Sequence, residues 1–396
     1  MAPTADGYIA VGESNSSDSY WVNRGRRNAI IVKYDLNGNV IWAKSAGGTH
    51  TTHFNSVAVA ADGYVAVGIS MSTDAPWGNY GAADAIIVKY DFDGNIVWAV
   101  NTGGTDSEEY TSVAAAPDGY VAVGFSYSKD APWGSNDGID AVAIIVKYDR
   151  QGHMVWSKHA GGTGGDFFRS VAITGDGGYI AVGDSDSADA VWGNNGDADA
   201  IIVKYDSHGN IVWAKNIGGP ARDLFKSVAT VSDGYIAAGM SYGSSKYWGN
   251  NGDFDAIIVK YNLHGDVMWA RNTGGADYDC FDSVMAAAGG YIAVGNSSST
   301  NAQWGNKGDY DAIIVKYNRN GNIVWANNIG GKGFDLLSSI AAASNGYVST
   351  GMSDSTDAPW GNNGQHDAII LKFSETQNNN ALLKILLFIL AARIIC

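Results

Sequence analysis

Seven copies of one apolar segment, set about 56 residues apart, predict an all-β protein. The expected fold is a seven-bladed β-propeller of four-stranded antiparallel blades, with the first and last blades incomplete. The segment runs first as Ala29-Ile30-Ile31-Val32-Lys33-Tyr34-Asp35 and last as Ala368-Ile369-Ile370-Leu371-Lys372-Phe373. A period of this length marks a solenoid or a propeller, and a unit of short strands and tight turns selects the propeller blade. Composition agrees: 52 glycines against 6 prolines make glycine the turn residue, and helix-forming sequence is nearly absent before Ala381.

The unit starting at Ser56 justifies each strand. Ser56-Val57-Ala58-Val59-Ala60-Ala61 and Tyr64-Val65-Ala66-Val67-Gly68 flank the pair Asp62-Gly63, a two-strand hairpin pattern. A long polar stretch from Ser70 to Gly81 follows, then the third strand Ala85-Ile86-Ile87-Val88-Lys89-Tyr90. The turn Asp91-Phe92-Asp93-Gly94-Asn95 leads to the fourth strand, Ile96-Val97-Trp98-Ala99-Val100.

Residue size orders the strands radially. Blades converge at the axis, so the small Ser-Val-Ala segments at Ser112, Ser170 and Ser227 belong beside the channel. Trp42, Trp98, Trp156, Trp213, Trp269 and Trp325 belong on the outer strand, where the wedge between blades is widest. Links between first and second strands and between third and fourth are tight, whereas the other two are long. Both long links emerge on the same side of an antiparallel blade, so one face of the disc is smooth and the other carries the elaborate loops.

The ends break the pattern. No clear innermost strand precedes Gly7 and no recognisable outer strand follows Phe373, although Met1 to Ala5 offers a degraded inner strand around Pro3. Residues 1–373 are therefore read as the propeller and 374–396 as a polar linker with a short apolar tail. The tail is interrupted by Lys384 and is short for a membrane span; packing on the last blade is the favoured reading, with a weak interfacial anchor and sequence foreign to the repeat as alternatives.

A formal net charge of -15 repels phosphate backbones, so nucleic acid is not expected as a partner. Cys280 and Cys396, the only cysteines, occupy no repeated position and imply neither a disulfide framework nor a zinc site. The first residues carry neither a basic region nor an apolar run, so no export signal is read in the chain as it stands.

The unit Asp-Ala-Ile-Ile-Val-Lys-Tyr-Asp, Gly-Asn-Ile-Val-Trp, Gly-Gly, Ser-Val-Ala, Asp-Gly-Tyr-Ile-Ala-Val-Gly resembles the bacterial β-propeller repeats called SBBP-type, from Gly7 to Phe373. The resemblance implies a seven-bladed propeller, typically in secreted or cell-surface proteins, often as one module of a larger polypeptide and mostly without assigned activity. It brings no catalytic residues to this chain.

The long loop between second and third strands carries the candidate ligand-binding residues: Trp77, Trp133, Trp192, Trp248, Trp304 and Trp360, with Asn194, Asn250 and Asn362. An exposed indole stacks on the apolar face of a sugar ring while Asn supplies directional hydrogen bonds, and repetition around a ring adds avidity. Glycans or surface proteins are the expected partners on that reading. On the other reading each Trp is the small core of its own loop. Trp21 departs from the set, with Val22 and basic residues after it. Asp84, Asp199, Asp255, Asp311 and Asp367 before the third strand, and Asp166, Asp223, Asp279 and Asp335 after Gly-Gly, are expected to cap turns. No cofactor is called for; calcium held by these carboxylates is the alternative to capping. The third-strand lysines are expected to lay their stems on apolar surface with ammonium groups in solvent.

The histidines share no repeat position that builds a catalytic or metal triad, and no catalytic residue is assigned. The leading functional expectation is a non-enzymatic recognition or scaffold module of a secreted or cell-surface protein. The alternatives are a purely structural display domain without a small ligand, and a lyase or hydrolase acting at the channel mouth.

Overall fold

The computed structural model describes residues 1–16, 26–134, 140–343, 346–362 and 366–374, and the backbone of 384–393. Seven four-stranded sheets follow one another along the chain, each an antiparallel meander whose strands are consecutive in sequence. Blade 4 is representative: Asp166–Ile173 innermost, then Tyr179–Ser185, Asp199–Tyr205 and Ile211–Ile217 outermost. The chain is thus the seven-bladed β-propeller expected from its period.

The third strand is buried along almost its whole length in blades 1 to 6 because it has a sheet neighbour on each side and a blade packed on each face. Apolar side chains on both faces are therefore required, which explains the unalternating Ala-Ile-Ile-Val run. The core is divided into seven clusters, one per blade junction. Between blades 4 and 5, for instance, Ile180, Val182 and Ile202 meet Phe225, Tyr235 and Val259. The outer-strand tryptophans behave as the sequence implies, each reaching the following blade. Trp213 lies 5.9 Å from the Tyr235 ring and donates its Nε1–H to the Leu263 carbonyl. Gly265, at φ 80°, takes the left-handed turn beneath that indole, where a Cβ would come within 3 Å of the ring.

The chain ends correct the expectation of incomplete first and last blades. Ala2–Thr4 is the innermost strand of blade 1, pairing Pro3 with Tyr8, and Lys384–Arg393 is the outermost strand of blade 7, pairing along Asp367–Ser374. Backbone groups make these pairings, so an extended segment can complete a sheet without the side-chain motif of its repeat. Pro3 is tolerated because an innermost strand has a sheet neighbour on one side only. The ring closes where Tyr8, Ile30, Val32 and Tyr34 of blade 1 pack on Ala341, Val348 and Ile370 of blade 7.

The lysines also differ from expectation. Lys89, Lys147, Lys204 and Lys260 are buried, and each pairs with an exposed aspartate of its own blade's first turn: Asp62, Asp118, Asp176 and Asp233. The third strand is too deep for a lysine stem to reach bulk water, so the turn brings a carboxylate down to it.

Candidate functional site

The loop tryptophans are core residues. Trp77, Trp133, Trp192, Trp248, Trp304 and Trp360 are only 5 to 8% exposed, and each belongs to the apolar cluster between its own blade and the preceding one. In blades 4 to 7 the indole Nε1–H donates to the serine that ends the second strand: Trp192 to Ser185, Trp248 to Ser241, Trp304 to Ser297 and Trp360 to Ser353, at 2.7 to 2.9 Å. The sugar-stacking role is therefore corrected: no ring face is open, because a long loop over a blade junction needs an apolar plug. Trp21 lies outside the described residues.

The asparagines are staples of the same loops. Asn194 donates to the Asp186 and Asp197 carbonyls and accepts from Gly196 N–H. Asn250 repeats this with Tyr242, Gly252 and the Gly252 amide. Asn362 is half-buried in the corresponding loop of blade 7.

Both aspartate sets cap backbone amides. Asp199 Oδ2 accepts from Asn195 N–H at 2.6 Å and from Asn216 Nδ2, while Asp223 Oδ2 accepts from Gly219 N–H at 2.8 Å. Burial raises the pKa of Asp199, Asp255, Asp279 and Asp311, and burial with the nearby Asp199 charge lifts Asp223 to about 6. Among the described residues no three His, Cys, Asp or Glu side chains gather where they could hold a metal ion.

What the loops leave open is the channel. Each complete innermost strand, from blade 2 to blade 7, carries a register irregularity beside the same serine: the pairing passes from Phe54 to Ser56, from Phe168 to Ser170, from Phe225 to Ser227 and from Phe281 to Ser283. The skipped residue is a β-bulge, a device that re-aims a side chain. The six bulge residues are Asn55, Thr111, Arg169, Lys226, Asp282 and Ser338, and all six line a central cavity of about 570 Å³. They also line an outer bowl of about 540 Å³, whose rim adds Glu109, Arg222, Leu224 and Met240.

Directly behind them the serines bind the blades to one another. Ser112 Oγ accepts from Val171 N–H, Ser170 from Val228, Ser227 from Val284 and Ser283 from Ile340, at 3.1 to 3.3 Å. An innermost strand has no ladder partner on its channel side, so the preceding blade's serine satisfies an amide that would otherwise be unpaired. The framework is repeated and the residue before it is not.

Charge at the mouth is unevenly distributed. On one side Arg169 and Arg222 converge on the buried Asp184, at 2.8 and 3.4 Å, and Lys226 pairs with Asp282 at 2.7 Å. Burial is the largest single influence and opposes the Lys226 charge, but Asp282 together with the neighbouring Cys280 and Tyr278 outweighs it and the pKa is raised. On the other side His53 stands between Glu13 and Glu109, at 3.8 and 3.6 Å, and Asn55 donates to Glu109. Cys280 lies behind Asp282 with its thiol pushed up to about 12 by burial, so it is not a nucleophile at neutral pH.

A second non-repeating feature adjoins the bowl. Tyr242, Phe254, Tyr278, Tyr310, Phe334 and His366 form a continuous aromatic crescent across blades 5 to 7, with successive ring centroids 4.9 to 6.4 Å apart. Blades 2 to 4 have Ala83, Ala141 and Ala198 where the crescent has Phe254, Tyr310 and His366. Sequence reasoning passed over both features because it followed what repeats. The available signal was the opposite: the residue before Ser-Val-Ala changes in every copy.

No family model matches the chain. It is 30% identical over 118 residues to the regulatory protein FlaEY of Caulobacter vibrioides, covering 28% of this chain and 12% of that protein. It is 29% identical over 146 residues to the uncharacterized WD repeat-containing protein L264 of Acanthamoeba polyphaga mimivirus, covering 31% of this chain and 10% of that one. The chain thus spans about a tenth of the length of the curated relatives it matches. A crystal structure of a candidate 6-phosphogluconolactonase from Bacteroides uniformis aligns with a TM-score of 0.53 at 11% identity, over 97% of this chain and 96% of that one. At that identity the likeness speaks for the fold alone: the chain is a β-propeller of seven four-stranded blades.

Proposed function

We propose that the chain is a non-enzymatic recognition module that engages a partner at its loop-bearing face, with the ring of bulge side chains at the channel mouth as the reading element. One observation carries this. Framework positions are nearly identical from blade to blade, whereas Asn55, Thr111, Arg169, Lys226, Asp282 and Ser338 all differ and all face one cavity. A ligand on the axis meets each blade once, so an asymmetric ligand requires divergence at that position and tolerates repetition elsewhere. Pairing of the charged groups with one another and the high thiol pKa of Cys280 favour holding a partner over turning over a substrate. The setting proposed with this reading is extracellular or cell-surface, as the repeat resemblance implies, and protease shaving of intact source cells tests it.

The test of the binding face is photo-crosslinking in source cells from a photoreactive residue at Ser338, in the bowl, and at Leu36, in a tight turn of the smooth face. Discrete adducts from Ser338 and none from Leu36 are expected. Adducts from Leu36 alone, or from neither site, would favour the purely structural display domain.

A further inference from the structure

We propose that the ligand of this mouth is an acidic peptide segment: its carboxylate is held by Arg169 and Arg222, and its apolar neighbours lie on the aromatic crescent that starts beside them. This deepens the reading above and rests on it.

The charge argument comes first. The chain carries 40 acidic residues against 25 lysines and arginines, yet Arg169, Arg222 and Lys226 meet at one side of the bowl. Asp184, 3% exposed, lies between the two arginines and neutralises one of them. It also orients both. Arg169 is held through Nε and braced over the Phe167 ring at 5.0 Å. Arg222 reaches Asp184 with one nitrogen at 3.4 Å and is 48% exposed, which leaves most of its donor fork for a second carboxylate. Two guanidiniums pre-set around a buried anion need little reordering to bind another.

Orientation and continuity follow from the neighbours. Glu13 in blade 1 and Glu109 in blade 3 repel an anion, which favours placing the carboxylate at the arginines of blades 4 and 5. From there the crescent begins at once: the Tyr242 amide donates to the Arg222 carbonyl at 2.8 Å, and Tyr278 donates its hydroxyl to Sδ of Met240 on the rim. Tyr242 is 49% exposed and leads through Phe254 to Tyr278. A free phosphate or a small carboxylate would use the arginines and leave the crescent unused. An extended segment with an acidic residue next to aromatic or aliphatic ones uses both.

The test is selection of a random peptide library against the full chain, followed by titration of the recovered peptides at two salt concentrations. Recovered sequences are expected to carry Asp or Glu beside Phe, Tyr or Leu, and to bind more weakly at high salt. Exchanging the acid for its amide, or combining Arg169→Gln with Arg222→Gln, is expected to weaken binding by about tenfold or more, as loss of a charge-assisted pair does. Lys215→Gln, an exposed cation on the outer strand of blade 4, is expected to leave binding unchanged. Arg222→Gln alone keeps Asp184 paired with Arg169 and serves if the double variant does not fold. Recovery of basic or neutral peptides, recovery of none, or binding indifferent to the arginines overturns the proposal. Where such peptides are still blocked by Thr111→Trp in the bowl, the mouth stands as the binding face and only the acidic ligand falls. Indifference to Thr111→Trp as well removes both.

Discussion

Asp199, at the head of a third strand, and Asp223, at the head of the next blade's innermost strand, come together across Gly218. A Cβ on that glycine would lie 2.2 Å from Asp199 Oδ1 and 2.5 Å from Asp223 Oδ2. The same arrangement recurs with Asp255 and Asp279 at Gly274, and with Asp311 and Asp335 at Gly330. Buried like charges thus face each other at successive blade junctions, each held by amide donors, and Oδ1 of Asp199, Asp223, Asp255 and Asp311 has no hydrogen-bond partner among the described residues.

This pairing gives stability a pH dependence. Asp223 has a folded pKa of about 6, above the ordinary value of about 3.9, so the native state binds its proton more tightly than the unfolded chain does. Its contribution is full at the acid end of that window and is lost as pH rises from about 4 to about 6, by an amount on the order of 3 kcal/mol. Asp62, Asp118 and Asp176 act in the opposite sense: their pKa values are lowered, chiefly by hydrogen bonds from Lys89, Lys147 and Thr174 respectively, and they lose stabilisation as pH falls. A stability optimum on the acid side of neutrality is expected. Thermal unfolding followed from pH 4 to 8 checks it, and an Asp223→Asn variant with an unflattened profile would count against the assignment.

Gly218→Ala is expected to destabilise strongly, because the new methyl meets two buried carboxylates from different blades. Gly175→Ala is the matched control, since a Cβ there meets nothing within 4 Å. Urea midpoints should separate the two by about 2 kcal/mol or more, on the scale of an overpacked core site. Equal midpoints would mean that the carboxylates move aside freely.

The loop tryptophans should read out as packing. Trp192→Ala is expected to cost about 3–5 kcal/mol, the range for emptying a large aromatic site. Replacement by Phe should be graded by blade. Trp192 loses its bond to Ser185, whereas Trp133 Nε1 has no partner among the described residues, so Trp192→Phe should cost about 1 kcal/mol more than Trp133→Phe. Chemical denaturation of the two variants decides it, and a reversed order would refute the role of the indole bond.

In the lysine pairs the buried partner is the vulnerable one. Asp176→Asn removes the countercharge of the buried Lys204 ammonium, leaving it only neutral acceptors such as the Tyr205 carbonyl, and should destabilise. Lys204→Met combined with Asp176→Asn should recover part of that loss, because no charge then stays buried. The cost of the single change is expected to be only about 1–2 kcal/mol, since Asp176 is 65% exposed and solvent screens the pair. A double variant less stable than Asp176→Asn alone would contradict this.

Blade number, strand order, the smooth and looped faces and the outer tryptophans could all be read in the residues, because each follows from a periodic pattern that has one structural solution. The chain ends could not be read that way. Ala2–Thr4 and Lys384–Arg393 join their sheets through backbone pairing, to which side-chain motifs are blind. Nor could the fate of Trp192 or Trp248 be decided, since Trp-Gly-Asn suits an exposed platform as well as a buried plug. Only the approach of the preceding blade closes over the indole.

What the sequence alone determined is the periodic framework: seven copies of a strand that must be buried on both faces, and hence a ring. What the tertiary structure decided is where the non-periodic residues meet. Asn55 and Ser338 are 283 positions apart, and Arg169 and Lys226 belong to different repeats. Spacing along the chain cannot bring them together; a bulge beside the axis, repeated in six innermost strands and closed into a circle, does so because it turns one unpaired residue per blade toward the same point.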